Sequence, residues 1–234
     1  MPATYSLSWD GTGQKKYENG ISRGVLYRKT SQTAGKEWQG VAWNGLTSVA
    51  ESPEGADAND LYADNIKYAT MRGAETFGGT IEAYTYPDDF MYCDGSRGGT
   101  GTAVGMSIGQ QPREMFRLCY RTEQGNDEST TYGYKLHLVY GATCSPSERT
   151  YETINDSPDA ITFSWSFDTT PVAFTTSQAT LKPTSLIVVD STKFTTTAEL
   201  NALAALEAAL YGDGTNAAYM PDPEAVITLL TPAT

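Results

Sequence analysis

Few side chains in this 234-residue chain have the type and spacing to carry chemistry. There is one histidine, His137, in an alternating run beside Lys135. A Ser-His-Asp or Cys-His site needs that ring within hydrogen-bond reach of a nucleophile. No such partner stands out, so His137 reads as structural or exposed, and no catalytic residue is assigned. Three cysteines, Cys93, Cys119 and Cys144, include no Cys-x-x-Cys pair and no Cys and His at ligand spacing. They read as small buried hydrophobes kept reduced, not as a disulfide frame or a zinc site. The stretch from Gly95 to Gly105 is glycine-rich. It lacks the Gly-Lys-Ser/Thr ending of a phosphate loop and the Gly-x-Gly-x-x-Gly spacing, so it reads as a loop. Asp57-Ala-Asn59 is not followed by the glycine and distal glutamate of a calcium loop. Asp88-Asp89 after Pro87 fits the first turn of a short helix better than a catalytic carboxylate pair. No metal and no cofactor is expected.

The elements that would position these groups are mostly strands. The chain holds 32 Thr, 22 Gly and 15 Tyr, with 19% charged residues. Thr and Tyr favour strands, and Gly punctuates turns. Period-two alternation is clearest over 114–122, 132–140 and 161–167. Shorter strands are expected at 5–9, 25–28, 38–49, 80–86, 172–176 and 185–189. One apolar and one polar face per strand points to antiparallel sheets packed on each other. The fold class expected is therefore all-β: two packed antiparallel sheets, long loops and one flanking α-helix over 196–210. That helix carries a leucine stripe, a Thr196/Glu199 capping box and Gly212 beyond its end. The chain reads as a single domain over 1–234, with an extension from about 180.

Charge narrows the function. The net charge is −12, from 28 acidic and 16 basic residues. That excludes a conventional nucleic-acid binder, whose affinity comes from clustered Lys and Arg. Residues 51–94 hold ten acidic and two basic groups, whereas residues 1–40 hold six basic and three acidic ones. No basic start followed by an apolar run marks a signal peptide, and no run approaches the roughly 20 apolar residues of a membrane helix. An acidic, β-rich, long-looped chain without a catalytic constellation suits a protein whose product is an interface.

Several segments, taken together, resemble the major tail tube protein of long-tailed, siphovirus-like bacteriophages. They are Trp43-Asn-Gly-Leu-Thr47, Glu51-Ser-Pro-Glu-Gly-Ala56, Leu61-Tyr-Ala-Asp-Asn-Ile-Lys-Tyr68 and Thr80-Ile-Glu-Ala-Tyr-Thr-Tyr-Pro-Asp-Asp-Phe90. Gly109-Gln-Gln-Pro-Arg113, Gly133-Tyr-Lys-Leu-His-Leu-Val-Tyr140 and Tyr151-Glu-Thr-Ile-Asn-Asp-Ser-Pro158 continue the pattern. The resemblance spans about 41–172, and Thr80–Phe90 is its most specific part.

The resemblance implies a structural virion protein. Its subunits would join sheets edge to edge into hexameric rings, stacked as a tail tube through which genomic DNA passes during ejection. Its partners would be other copies of itself and the tape-measure, tail terminator and baseplate or tail-tip proteins. DNA would transit without specific binding, no membrane would be involved, and assembly would take place in the bacterial host cytoplasm. In that setting the acidic loop Glu51–Asp60, with Glu51, Pro53, Glu54, Asp57 and Asp60, is expected to contact a neighbouring subunit. Its charges could meet Lys15, Lys16 or Arg28. Glu82, alternating with Ile81 and Ala83, is the candidate for the channel wall. Competing readings are a terminator or baseplate subunit, and a carbohydrate-binding or adhesin β-sandwich using exposed aromatics. A β-sandwich hydrolase ranks last.

Overall fold

The structure is a computed structural model that describes residues 9–55, 58–71, 73, 75–98, 105–151, 153, 159–174 and 181–231. In chain order the elements begin with β1 (Tyr17–Lys29), β2 (Trp38–Trp43), β3 (Leu46–Gly55), β4 (Asn59–Ala63), β5 (Ile66–Met71) and β6 (Glu75–Ala83). A 3-10 turn, Asp88–Phe90, runs into the one-turn helix α1 (Met91–Asp94). Then come β7 (Arg97–Gly98), β8 (Ser107–Ile108), β9 (Phe116–Gly125), β10 (Gly133–Cys144), β11 (Phe163–Thr169) and β12 (Leu186–Asp190). The chain continues with α2 (Thr197–Tyr211) and α3 (Pro223–Leu230).

Eight strands form one antiparallel sheet, ordered β2-β1-β9-β10-β11-β6-β3, with β12 branching from β10. Two small ribbons, β4-β5 and β7-β8, stand apart from it. β10 joins the two parts of the large sheet. Its first half, Lys135–Val139, pairs with β12, and its end, Ala142–Cys144, pairs with β11. The switch falls at Gly141, which has φ +64, and a Cβ there would lie 2.2 Å from the Thr170 carbonyl oxygen. Only glycine fits that kink without strain.

The expected all-β fold, two packed sheets with one flanking helix, is therefore wrong. The fold is mixed α/β, with three α-helices and open sheets, and no ladder among the described residues closes the large sheet into a barrel. The helix α3, for which the sequence pattern gave no expectation, starts with Asp222 as N-cap and Pro223 at the first position. Continuous pairing through the bend in β10 makes one sheet of what alternation suggested were two. The segment 38–49 is likewise two strands, divided at Asn44–Gly45, where Gly45 has φ +78.

The large sheet is buried on both faces at its centre. Phe116 to Tyr120 of β9 are all buried. Phe116, Leu118 and Tyr120 join Leu26, Trp43, Ile81, Phe90, Val139, Trp165 and Phe167 in a first core. Aromatic rings set its spacing: Trp43 lies 4.5 Å from Phe90, and Phe90 lies 5.0 Å from Trp165. Such tilted and edge contacts are favoured by the ring quadrupoles. Cys119, Leu136, Leu138 and Tyr140 face the other way, onto Leu203, Leu206 and Leu210 of α2 and Val226 of α3. The Thr196/Glu199 capping box is formed. Leu200, expected on the packed stripe, is exposed instead. Residues after 180 thus supply one strand and two helices to a packed core.

Candidate functional site

The segment 51–60, expected to be a loop, is mostly strand. Glu51 to Gly55 form the outer half of β3, which pairs with Glu75 to Gly79 of β6. Pro53 lies opposite Phe77 on this edge strand, a position where its missing N–H is tolerated. Asp60 lies on β4, held 2.8 Å from Lys67 Nζ, and accepts a hydrogen bond from Thr70 Oγ1 at 2.7 Å. Asp57 lies outside the described residues. Glu54 is exposed. The acidic segment is thus the outer end of β3, with Asp60 on the separate β4-β5 ribbon, the next element in the chain.

That ribbon has no packed face. Apart from Asp60, every residue of β4 and β5 is exposed. Leu61, Ile66 and Met71 are among them, with Tyr62 69% and Tyr68 74% exposed. Sequence reading took 61–68 only as a matching segment and missed this apolar surface. The signal was present, because large apolar residues recur on both strands.

The outer end of β3 is anchored by Glu51. Tyr120 donates its hydroxyl hydrogen to Glu51 Oε1, and His137 Nδ1 lies 2.8 Å from the same oxygen. His137 Nε2 lies 3.1 Å from Thr122 Oγ1, and the ring stacks on Tyr120 with centroids 4.7 Å apart. The hydrogen bonds from His137 and Tyr120 hold the Glu51 carboxyl below its usual range, against the opposing effect of burial. Burial, reinforced by the carboxylate, pushes the Tyr120 hydroxyl well up. The network thus ties β3 to β9 and β10 across the first core.

Its connectivity, carboxylate to imidazole to hydroxyl, is that of a nucleophilic relay. The surroundings differ. Thr122 sits mid-strand, paired with Ile21 on one side and Lys135 on the other. The backbone N–H groups around it serve the ladders and do not converge as oxyanion donors. A Gly-x-Ser-x-Gly pattern, Gly105-Met-Ser-Ile-Gly109, also escaped the sequence reading. Its Ser107 lies in the two-residue strand β8 with no helix after it, unlike a strand-turn-helix elbow. Among the described residues, no three His, Cys, Asp or Glu side chains gather as a metal site. No helix among them is long and apolar enough to cross a membrane.

Glu82 lies on β6 between Ile81 and Ala83, both fully buried, and faces away from them. It is half-buried and accepts a hydrogen bond from Ser48 Oγ at 2.9 Å. Arg28, expected to be free for a neighbour's carboxylate, is engaged within the chain. Its guanidinium lies 2.7 Å from Asp89 and 2.9 Å from Glu114, with its Cζ 3.8 Å from the Tyr92 ring centroid. Asp89 therefore pairs with Arg28 as well as lying in the first helical turn. Lys16 lies over the Tyr132 ring.

Compared with known proteins, the chain matches no family model and no curated protein.

Proposed function

We propose that this chain is a non-enzymatic structural subunit of a bacteriophage tail tube, assembling through its β4-β5 ribbon and the outer edge of β3 into stacked hexameric rings. The observation that carries the reading is the β4-β5 ribbon. A two-stranded ribbon with both faces in water is marginal on its own. One that displays Leu61, Tyr62, Ile66, Tyr68 and Met71 is suited to be covered by another molecule. The ribbon follows β3 in the chain, and the outer edge of β3 is unpaired among the described residues over Leu46–Gly55. An open edge of that length is a ready template for another strand. The edge at the other end, β2, is partly occupied. There Gly40 donates its N–H to the Ala218 carbonyl, and Met220 donates to Trp38. Assembly would then use one edge and the ribbon.

Charge supports the same reading. A net −12 suits a conduit that must not hold phosphates, with Glu82 as the candidate wall residue. Partners under this reading are further copies, with tape-measure, terminator and baseplate or tail-tip proteins at the ends. The setting is the virion tail, assembled in the bacterial host cytoplasm. A carbohydrate-binding role is the second reading, favoured by the bare Tyr62 and Tyr68 rings. The test is a triple substitution, Tyr62→Ser, Ile66→Ser and Tyr68→Ser, followed by sedimentation velocity. A folded variant that stays monomeric while the wild type forms large species supports the proposal. Wild-type protein that stays monomeric at all concentrations and binds an oligosaccharide array through the ribbon rejects it.

A further inference from the structure

The β4-β5 ribbon has two unlike faces. Its turn, Asp64-Asn65, takes positive φ at both positions, 52° and 63°, the geometry of a two-residue hairpin that fixes register. The ladder pairs Ala63 with Ile66 and Tyr62 with Lys67. Beyond those pairs it shifts by one residue. Leu61 then meets Ala69, Asp60 meets Thr70 and Asn59 meets Met71, with Tyr68 left over as a bulge. The bulge reorders the faces. Lys67 and Thr70, three residues apart, would lie on opposite faces of a regular strand. Here both reach the Asp60 carboxylate. One face therefore carries Asp60, Tyr62, Lys67 and Thr70. The other carries Leu61, Ala63, Ile66, Ala69 and Met71, with Asn59 at its base. On that apolar face Leu61 is 39%, Ile66 65% and Met71 58% exposed.

Two properties of the apolar face point to a copy of itself as the occupant. It bears no ionisable group, on a chain whose net charge of −12 sets copies against one another elsewhere. Its pairs also set a large residue beside a small one, Leu61 beside Ala69 and Ile66 beside Ala63. The large residues lie on one diagonal and the alanines on the other. Turning a second ribbon over onto the first, about an axis along the ribbon, brings Leu61 over Ala69, Ile66 over Ala63 and Met71 over Asn59. Large against small is how facing layers interdigitate. A two-stranded ribbon lacks a second layer, and another ribbon supplies it.

We propose that two copies of this chain pair through the apolar faces of their β4-β5 ribbons about a two-fold axis, while Asp60, Tyr62, Lys67 and Thr70 stay in water. Such a contact is isologous and closes at two copies. Under the tail-tube reading the ribbons would part before rings stack, so the pair is a resting form of the free subunit. The inference does not rest on that reading.

The test is sedimentation velocity of the full-length protein over a concentration series, with circular dichroism as the check of fold. The wild type should pass from monomer to dimer. The dissociation constant should rise about tenfold or more in Ile66→Ser, Leu61→Lys and Ala69→Asp. Tyr62→Ser, on the polar face and at least as exposed as Ile66, should change it less than about twofold. Leu61→Lys and Ala69→Asp protein, mixed, should dimerise again, because the two positions face each other across the axis. Equal weakening by Tyr62→Ser, no rescue on mixing, or wild-type monomers at every concentration overturns the inference. So does a monomeric wild type that floats with phosphatidylcholine vesicles, which would make the face a lipid-binding one. Dimers without larger species count against the tail-tube reading and not against this inference. Tubes with no ribbon-dependent dimer do the reverse.

Discussion

Replacing Glu51 with Ala should uncouple the outer half of β3 from β9 and β10 at a cost that can be worked from its partners. The carboxylate accepts from the buried Tyr120 hydroxyl and lies 2.8 Å from His137 Nδ1. Removing it leaves the hydroxyl without an acceptor, and an orphaned buried donor costs about 1–3 kcal/mol. The imidazole is itself little exposed, but water can reach the carboxylate, whose side chain is 28% exposed. Its loss therefore adds only a modest amount, and about 2–3 kcal/mol in all is expected. For a chain of this size that lowers the melting temperature by about 4–12 °C. Glu54→Ala, on the same strand but exposed, should change stability by less than about 0.5 kcal/mol. Both are read by thermal and urea unfolding. The sign with pH is fixed by the depressed folded pKa of Glu51. Its contribution is present above the unfolded value of about 4.3 and is lost as pH falls through the folded value. The gap between wild type and Glu51→Ala should therefore narrow below about pH 4. Equal effects of the two substitutions, or a gap that widens in acid, would refute the reasoning.

The three thiols should be silent in the native state. Burial pushes Cys93 and Cys119 up to about 12 and Cys144 higher still, so a thiol reagent at pH 8 should label three groups only after unfolding. Gly79→Ala should loosen the β3-β6 pairing by about 1–3 kcal/mol, because its Cβ would meet the Ala50 carbonyl oxygen at 2.3 Å and Phe167 Cζ at 2.8 Å. Urea unfolding checks it against Gly55→Ala, where a Cβ meets nothing within 4 Å. Asp213, whose carboxylate accepts N–H bonds from Asn216 and Thr215, should titrate at about 2 in a carboxyl ¹³C NMR experiment.

What the sequence makes legible follows from how local the determining physics is. Alternation over 132–140 and 161–167 marks real strands, and the Thr196/Glu199 capping box marks α2, because these depend on neighbours a few residues away. The helical turn after Pro87 is readable for the same reason. The two-sided burial of β9 is not readable, because Arg117 sits in it. That residue counts as polar in any pattern, yet its guanidinium stacks on Trp38 and donates to the Met220 carbonyl, more than a hundred residues away. The partners of Glu51 are hidden similarly: Tyr120 and His137 lie on strands far along the chain. Reading 51–60 as a loop followed its Pro, Gly and acidic content. Pairing with β6 outweighs those preferences, since an edge strand tolerates residues that a central one does not. A cleft at the end of α1 is invisible in one dimension, because Asp94, Arg113, Arg149 and Trp165 converge only in the fold.

The measurement that bears most directly on the account is electron microscopy of the purified full-length protein across a range of concentrations. The account predicts sixfold rings stacked into tubes, with β4-β5 and the free edge of β3 buried between subunits. Monomers at every concentration, or an assembly that leaves the Tyr62 and Tyr68 ribbon bare to solvent, would contradict it.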